Sequence, residues 1–197
     1  MTDDEILFFD RIASRWDALE TVSVPERINA LLDLLNIGCG EHVLDLGTGT
    51  GVLLPYLLER VGEEGLVVGV DVSPGMLAEA KRKMGRRQNL RLLERDFEVD
   101  MLTGSYDLIV LYCVYPHLHY PEATLRRLLQ RNMADGGRIV VAFPTTERFI
   151  NDVHSGLGLE AHTLVPVDSL AAALAQSGFN ATVIDNDLGA YIIEIRQ

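Results

Sequence analysis

The segment Asp45-Leu46-Gly47-Thr48-Gly49-Thr50-Gly51 sets three glycines at alternate positions, the first two residues after an acidic one. Glycine lets a backbone turn sharply and lets a ligand approach main-chain atoms closely. Asp71 lies 20 residues beyond Gly51. That is the offset of a carboxylate that accepts hydrogen bonds from the vicinal hydroxyls of a ribose. The glycine spacing argues against a dinucleotide. Its fingerprint is G-x-G-x-x-G, and the third glycine would fall on Val52 or Leu54 in the two registers. Asp45 would also oppose a pyrophosphate, whereas it suits a ligand bearing an ammonium group. A nicotinamide-dependent oxidoreductase is therefore the weaker alternative.

A second set of chemistry-bearing residues lies further on. His117 and His119 sit in the run Tyr-Pro-His-Leu-His-Tyr, and His154 and His162 follow the next strand. Histidine is the side chain whose ordinary pKa suits proton transfer near neutrality. His117 and His154 are the candidates for a catalytic role, and a structural role is the alternative for each. No pair among the histidines and Cys113 has the spacing of a metal motif, so no metal is expected.

The elements that must position these residues alternate. Ile6, Phe9, Ile12, Ala13 and Trp16 fall at helical spacing, which gives a first helix one apolar face. A helix follows Pro25, with Ile28, Leu31, Leu32 and Leu35 on one face and Gly38 suited to its end. Strands are read at 43–46, 65–71, 90–94, 107–112 and 138–143, the last after a Gly136-Gly137 turn. The run Gly65–Asp71 is almost continuously apolar, as in a parallel strand covered on both faces. Helices are read at about 52–60, after Ser73-Pro74, after Pro121, and from an Asp168-Ser169 cap to about Gly178. Two β-rich runs at the end are joined by the turn formers Asn186–Gly189, which predicts an antiparallel hairpin.

Five strand–helix alternations imply a parallel sheet with right-handed crossovers. The expected fold is α/β: a doubly wound, Rossmann-like sheet of seven strands, mostly parallel, ending in the hairpin. Ligands of such sheets bind beyond the C-terminal strand ends, where the strand order reverses. The glycine loop, Asp71, Asp96 and residues 112–117 should therefore gather along one rim.

Composition narrows the class. The chain has 197 residues and a formal charge of −12, so one domain is expected. Phosphate backbones are bound mainly through Lys and Arg, which speaks against nucleic acid as a partner. The basic cluster between Lys81 and Arg95 reads as a solvated helix end. Two cysteines in this length are no disulfide framework and fit a reducing compartment. No signal-peptide pattern and no run of about 18 apolar residues occurs. A cytoplasmic protein without membrane association is expected.

The ordered set FFDRIASRWD, VLDLGTGTG, VVGVDVSPGML, RDF at Arg95–Phe97, YDLIVLYCVYPHL and DGGRIVVAF resembles the class I S-adenosylmethionine-dependent methyltransferases. The likeness is greatest to small bacterial relatives of the ubiquinone/menaquinone methyltransferases. The resemblance implies S-adenosylmethionine as cofactor and methyl transfer to a small-molecule acceptor by in-line displacement. A non-catalytic S-adenosylmethionine-binding regulator is the alternative within the same fold. The resemblance further implies that Gly47, Thr48, Gly49 and Gly51 wrap the methionine part, with Asp45 near its amino group. Asp71 would hold the ribose, Val72 and Met76 would pack near the adenine, and Asp96 and the Phe97 backbone would address its edge. Helix capping is the alternative for Asp96. Tyr112 and Cys113 would floor the site near the sulfonium. Phe9 and Trp16 would belong to an N-terminal lid helix region, residues 1–24, with core packing as their alternative. Residues 144–167 would line an acceptor pocket. The chain is short for a quinone methyltransferase, so a small acceptor is expected.

Overall fold

The structure, a computed structural model, describes residues 1–19, 23–159 and 162–197. Residues 20–22 and 160–161, within the 1–24 and 144–167 segments, lie outside the described residues. Strands β1 (His42–Leu46), β2 (Leu66–Asp71), β3 (Leu90–Glu94), β4 (Tyr106–Tyr112), β5 (Met133–Phe143), β6 (Asn180–Val183) and β7 (Tyr191–Arg196) build the sheet. Its order is β3-β2-β1-β4-β5-β7-β6. The first five strands run parallel, and β7 is antiparallel to both β5 and β6. The seven-stranded, mostly parallel fold with its terminal hairpin is as the sequence predicts. The chain proceeds outward from β1 to β3 and then returns to place β4 on the other flank of β1. The order thus reverses between β1 and β4.

Period-two alternation sorts the strand side chains into two cores. Leu44, Leu46, Ile109 and Leu111 face one core. Helices α6 (Pro121–Arg131), α7 (Glu147–Gly156) and α8 (Val167–Gln176) close it with Leu125, Ile150 and Leu174. Val43, Leu108, Val110 and Tyr112 face the other. Helices α3 (Pro25–Leu35), α4 (Leu54–Val61) and α5 (Pro74–Met84) cover that side through Leu31, Leu57 and Ala80.

Local chemistry explains the helix ends. Ser73 caps α5 by accepting from the Met76 amide at 3.1 Å, and Pro74 occupies a first-turn position where no amide donor is needed. Helix α1 (Asp3–Ile12) opens with a reciprocal box between Thr2 and Glu5.

Four details differ from the sequence expectation. The first apolar stripe is not one helix: a 3-10 turn at Ala13–Arg15 separates α1 from α2 (Trp16–Leu19). Helix α3 ends at Asn36, whose left-handed conformation does what glycine was expected to do at Gly38. Gly136-Gly137 lies inside β5 as a register shift, with Tyr106 paired to Met133 and Leu108 to Arg138. Helix α8 begins at Val167 with Pro166 at its cap position, so Asp168 sits in the first turn. Among the described residues no helix is long and apolar enough to cross a membrane.

Candidate functional site

One cavity of about 150 Å³ opens at the C-terminal ends of β1, β2 and β4, where the strand order reverses. Its floor is the loop after β1. The Gly47 and Thr48 amides both donate to the Val70 carbonyl, at 2.8 and 3.0 Å, which bends the loop back over β2. Gly47 has φ +70° and lies against Val114; a Cβ there would meet Val114 Cγ2 at 2.4 Å. The loop therefore needs glycine for both backbone conformation and space.

Two carboxylates border this floor. Asp71 accepts from the Gly49 amide at 2.8 Å through one oxygen and from the Ser73 amide at 2.9 Å through the other. Each oxygen keeps a lone pair for a ligand hydroxyl. Burial raises the Asp71 carboxyl, and these amides oppose the shift. Asp45 is 2% exposed and accepts from the Thr48 hydroxyl at 2.6 Å. Burial pushes its carboxyl up to about 7, against that hydrogen bond and with the Asp71 charge adding to it. A buried carboxylate with one neutral partner favours a cation beside it.

The same cavity is also lined by two histidines, His117 and His154. His117 ends a 3-10 turn (Tyr115–His117) after β4, and His154 comes from α7. The His117 ring centroid lies 4.5 Å from that of His162, 5.2 Å from His154 and 5.7 Å from Phe9. His154 donates through Nδ1 to the His162 carbonyl at 2.6 Å, since a carbonyl can only accept. His162 reaches the Pro116 carbonyl at 3.2 Å through Nδ1 and Glu5 at 3.1 Å through Nε2. Nδ1 of His117 is buried and has no protein partner. Burial drives the His117 imidazole down to about 3, helped by His162 and His154 and opposed by Glu5. Burial also lowers His154. Among the described residues no cluster of His, Cys, Asp or Glu has the geometry to hold a metal.

The N-terminal helices cover the cavity and are tied down by acidic side chains. Asp10 accepts from the Ser73 hydroxyl and from the Gly75 amide at 2.8 Å, at the start of α5. Asp17 pairs with Lys83 at 2.7 Å and accepts from the Thr50 hydroxyl. Phe9 and Trp16 meet edge to face at 5.6 Å inside this cover.

Comparison with known proteins agrees with the fold and the loop. Residues 43–137 match the family described as Methyltransferase domain. Aklanonic acid methyltransferase DauC of Streptomyces sp. (strain C5) is 32% identical over 69% of this chain and 63% of its own length. Demethylmenaquinone methyltransferase of Thermus thermophilus is 36% identical over 68% of this chain and 62% of its own length. The chain belongs to the class I S-adenosylmethionine-dependent methyltransferases. It spans less than two thirds of the length of these curated relatives. Among solved structures, an S-adenosylmethionine-dependent methyltransferase from Aquifex aeolicus superposes with a TM-score of 0.72 at 22% identity, covering 93% of this chain and 97% of that one. The DhpI-SAM-HEP complex gives 0.75 at 19% identity, covering 98% and 96%. Both share the fold.

The residues present fit the methyltransferase cofactor. Asp45 offers a buried anion to an ammonium, Asp71 offers acceptors to a diol, and Gly47 and Gly49 leave the backbone open to close approach. The cavity lining includes Asp45, Gly47, Thr48, Gly49, Asp71, Val72, Met76, Phe97, Tyr112 and Cys113, together with Phe9, Trp16, His117 and His154. Two residues singled out from the sequence stand apart. Gly51 faces Leu54 and Ala80, where a Cβ would crowd Leu54 at 2.7 Å, so it seats α4. Asp96 accepts from the Glu98 amide at 2.9 Å and faces the N-terminal ammonium at 3.6 Å.

Sequence reasoning missed Val114, Phe143, Ile150, Val153, Leu157 and Leu159, which also line the cavity. Ile150, Val153, His154 and Leu157 fall at i, i+3, i+4 and i+7. That periodicity marks a helix and would have revealed α7. His162 is recruited by Glu5 from the far end of the chain, and no local pattern announces it.

Proposed function

We propose that this chain transfers a methyl group from S-adenosylmethionine to a small-molecule acceptor. One observation carries the reading: the glycine loop, Asp45, Asp71, His117 and His154 line a single cavity. Asp45 receives the amino group of the methionine part, and Asp71 receives the ribose hydroxyls. Val72, Met76 and Phe97 border the adenine. Asp96 acts at one remove, through the Phe97–Glu98 turn that its side chain caps. Tyr112 and Cys113 lie beneath the reacting centre. The cofactor supplies a methyl group on a sulfonium, whose leaving group is neutral sulfur and needs no acid.

The chain's remaining task is to hold an acceptor in line and dry. The N-terminal segment within residues 1–24 serves as the lid: Phe9 and Trp16 face the cavity, and Asp10 and Asp17 fasten it. Helix α7 and its flanks, within residues 144–167, form the acceptor wall of this single domain. His117 and His154 face that space, and both are held neutral by burial. The net charge of −12 supports an acceptor other than nucleic acid. A reducing, cytoplasmic setting fits the two cysteines.

Calorimetric titration with S-adenosylmethionine and S-adenosylhomocysteine tests the reading. Both should bind. Asp71→Ala should weaken binding by about 100-fold, the loss of roughly two hydrogen bonds to a charged group. A wild-type protein that takes up neither ligand would end the reading. Uptake of both, with no methyl transfer to any acceptor class, would move it to the non-catalytic regulator.

A further inference from the structure

Helix α5 carries a glycine that its own backbone does not require. Gly75 lies in the first turn of the helix, where glycine is a poor helix former, and its φ is not in the left-handed region. The reason for it lies on another helix. A Cβ at Gly75 would meet Asp10 Oδ1 at 2.9 Å, the Asp10 Cα at 3.1 Å and the Asp10 carbonyl oxygen at 3.2 Å. Two of those three atoms are backbone and cannot swing aside. Glycine at this position lets α1 come down closely on α5, and the residue that lands there is Asp10.

The carboxylate at this seat does more than join two helices. A single oxygen, Asp10 Oδ1, accepts from the Ser73 hydroxyl and from the Gly75 amide, the latter at 2.8 Å. Ser73 is 1% exposed, and its amide donates to Asp71 Oδ1 at 2.9 Å. Contacts thus run from the N-terminal helix through Ser73 to the carboxylate assigned to the ribose. Charge is not what Asp10 adds. Burial chiefly raises the Asp71 carboxyl, and the Asp10 charge pushes it the same way. Like charges this close oppose one another, so the hydrogen bonds to Ser73 and Gly75 are what the placement provides.

Resting on the methyltransferase reading, we infer that Asp10 is a positioning residue for the cofactor: it holds Ser73 so that Asp71 meets both ribose hydroxyls, and Gly75 is the space it needs. Without Asp10, the Ser73 hydroxyl loses its acceptor and the Gly75 amide its partner. Asp71 then keeps the Gly49 amide at 2.8 Å on Oδ2, while Oδ1, which faces Ser73, is less firmly set. The effect falls on the diol and spares the methionine part, which Asp45 and the glycine loop receive.

The test compares S-adenosylhomocysteine with its 2′-deoxy analogue, which lacks one ribose hydroxyl. Binding of each is measured by calorimetry. Asp10→Ala should weaken S-adenosylhomocysteine by about tenfold, the loss of two hydrogen bonds of ordinary worth, and the deoxy analogue by less than about threefold. Asp10→Asn keeps an oxygen at the Oδ1 position and should bind both ligands within about threefold of wild type. Gly75→Ala suits the helix better but pushes Asp10 off its seat, and should repeat the unequal loss at about fivefold.

A merely structural Asp10 would weaken the two ligands equally. That result, unchanged affinity in Asp10→Ala, or an asparagine variant as weak as the alanine one, would overturn the inference. A wild type that binds the two ligands equally would also overturn it, because Asp71 would then hold no diol, and would leave methyl transfer standing. A wild type that takes up neither S-adenosylmethionine nor S-adenosylhomocysteine defeats the methyltransferase reading itself. If Asp10→Ala does not fold, as shown by a lost cooperative melt, Gly75→Ala with the same pair of ligands decides.

Discussion

The loop Asp45–Gly51 and the trio His117, His154 and His162 are fixed in different ways, although Gly47 and the turn that ends at His117 both meet Val114. The loop is held by backbone. Gly47 and Thr48 donate to Val70, Gly51 donates to the Thr48 carbonyl at 2.8 Å, and Gly49 donates to Asp71. The trio is held largely by side chains from three distant segments: Glu5 on α1, the turn after β4, and α7 with the loop that follows it. Backbone-held geometry leaves little room for side-chain variation. Side-chain-held geometry can be re-cut by single substitutions without disturbing the sheet. Under the proposed function, the loop would recognise a constant ligand while the histidine region could change its acceptor.

The largest effect should come from breaking the backbone-held end. Gly47→Ala forces φ +70° on a residue with a Cβ and drives that Cβ to 2.4 Å from Val114. The left-handed conformation costs about 1–2 kcal/mol and overpacking about 1–3 kcal/mol. For a chain of this size each kcal/mol is about 2–4 °C in Tm, so the melt should fall by roughly 5–15 °C. Adding Val114→Ala should restore the overpacking share and leave the conformational share. Equal melting of Gly47→Ala and wild type would show that close approach does not fix the loop.

The next effect concerns charge at the same end. Asp45 ionises near 7 in the fold and near 3.8 when unfolded. Between those values the folded chain holds a proton that the unfolded chain has released. This group's contribution to stability is therefore best below about 4 and is lost as pH rises through 7. Asp45→Asn keeps an acceptor for the Thr48 hydroxyl and removes the buried charge. At pH 8 the ligand-free variant should melt higher than wild type, because it no longer carries a buried charge, while binding S-adenosylmethionine more weakly. Wild-type affinity should also fall as pH drops below 7, with proton release on binding seen as buffer-dependent calorimetric heats. A destabilised Asp45→Asn would show that the carboxylate serves the loop rather than a ligand.

Legibility in the sequence follows the same division. The loop, Asp71 and the strand order were readable because each is local: a strand, a glycine turn and a helix within 30 residues, repeated along the chain. The hairpin was readable from Asn186–Gly189, where Asn186 accepts from the Leu188 and Ala190 amides at 3.1 Å each. The histidine end was half readable. His117 and His154 stood out by type, but their assembly depends on Glu5, more than 100 residues away in sequence, and on His162. Helix α7 is less legible because its short stripe, Ile150, Val153, His154 and Leu157, carries a polar histidine at one of its apolar positions. Asp96 shows the reverse case. Its place in the motif suggested ligand contact, with capping as the alternative, and one of its oxygens accepts from the Glu98 amide in the turn that presents Phe97.

The smallest effect should come from loosening the side-chain-held end. Glu5→Gln keeps the capping box with Thr2, since glutamine serves there as well, and removes only the charge that faces His162 at 3.1 Å and His119 at 3.6 Å. Partly exposed pairs of this kind are worth about 0.2–1 kcal/mol, so Tm should fall by no more than about 4 °C. Relaxation of His162 lets the His117 ring tilt, and the acceptor KM should rise by about two- to fivefold, within that same energy. Cofactor affinity should not move, because no loop contact depends on Glu5. Parallel loss of cofactor affinity would mean that the N-terminal helix couples the two ends, and that the acceptor end cannot be re-cut independently of the rim.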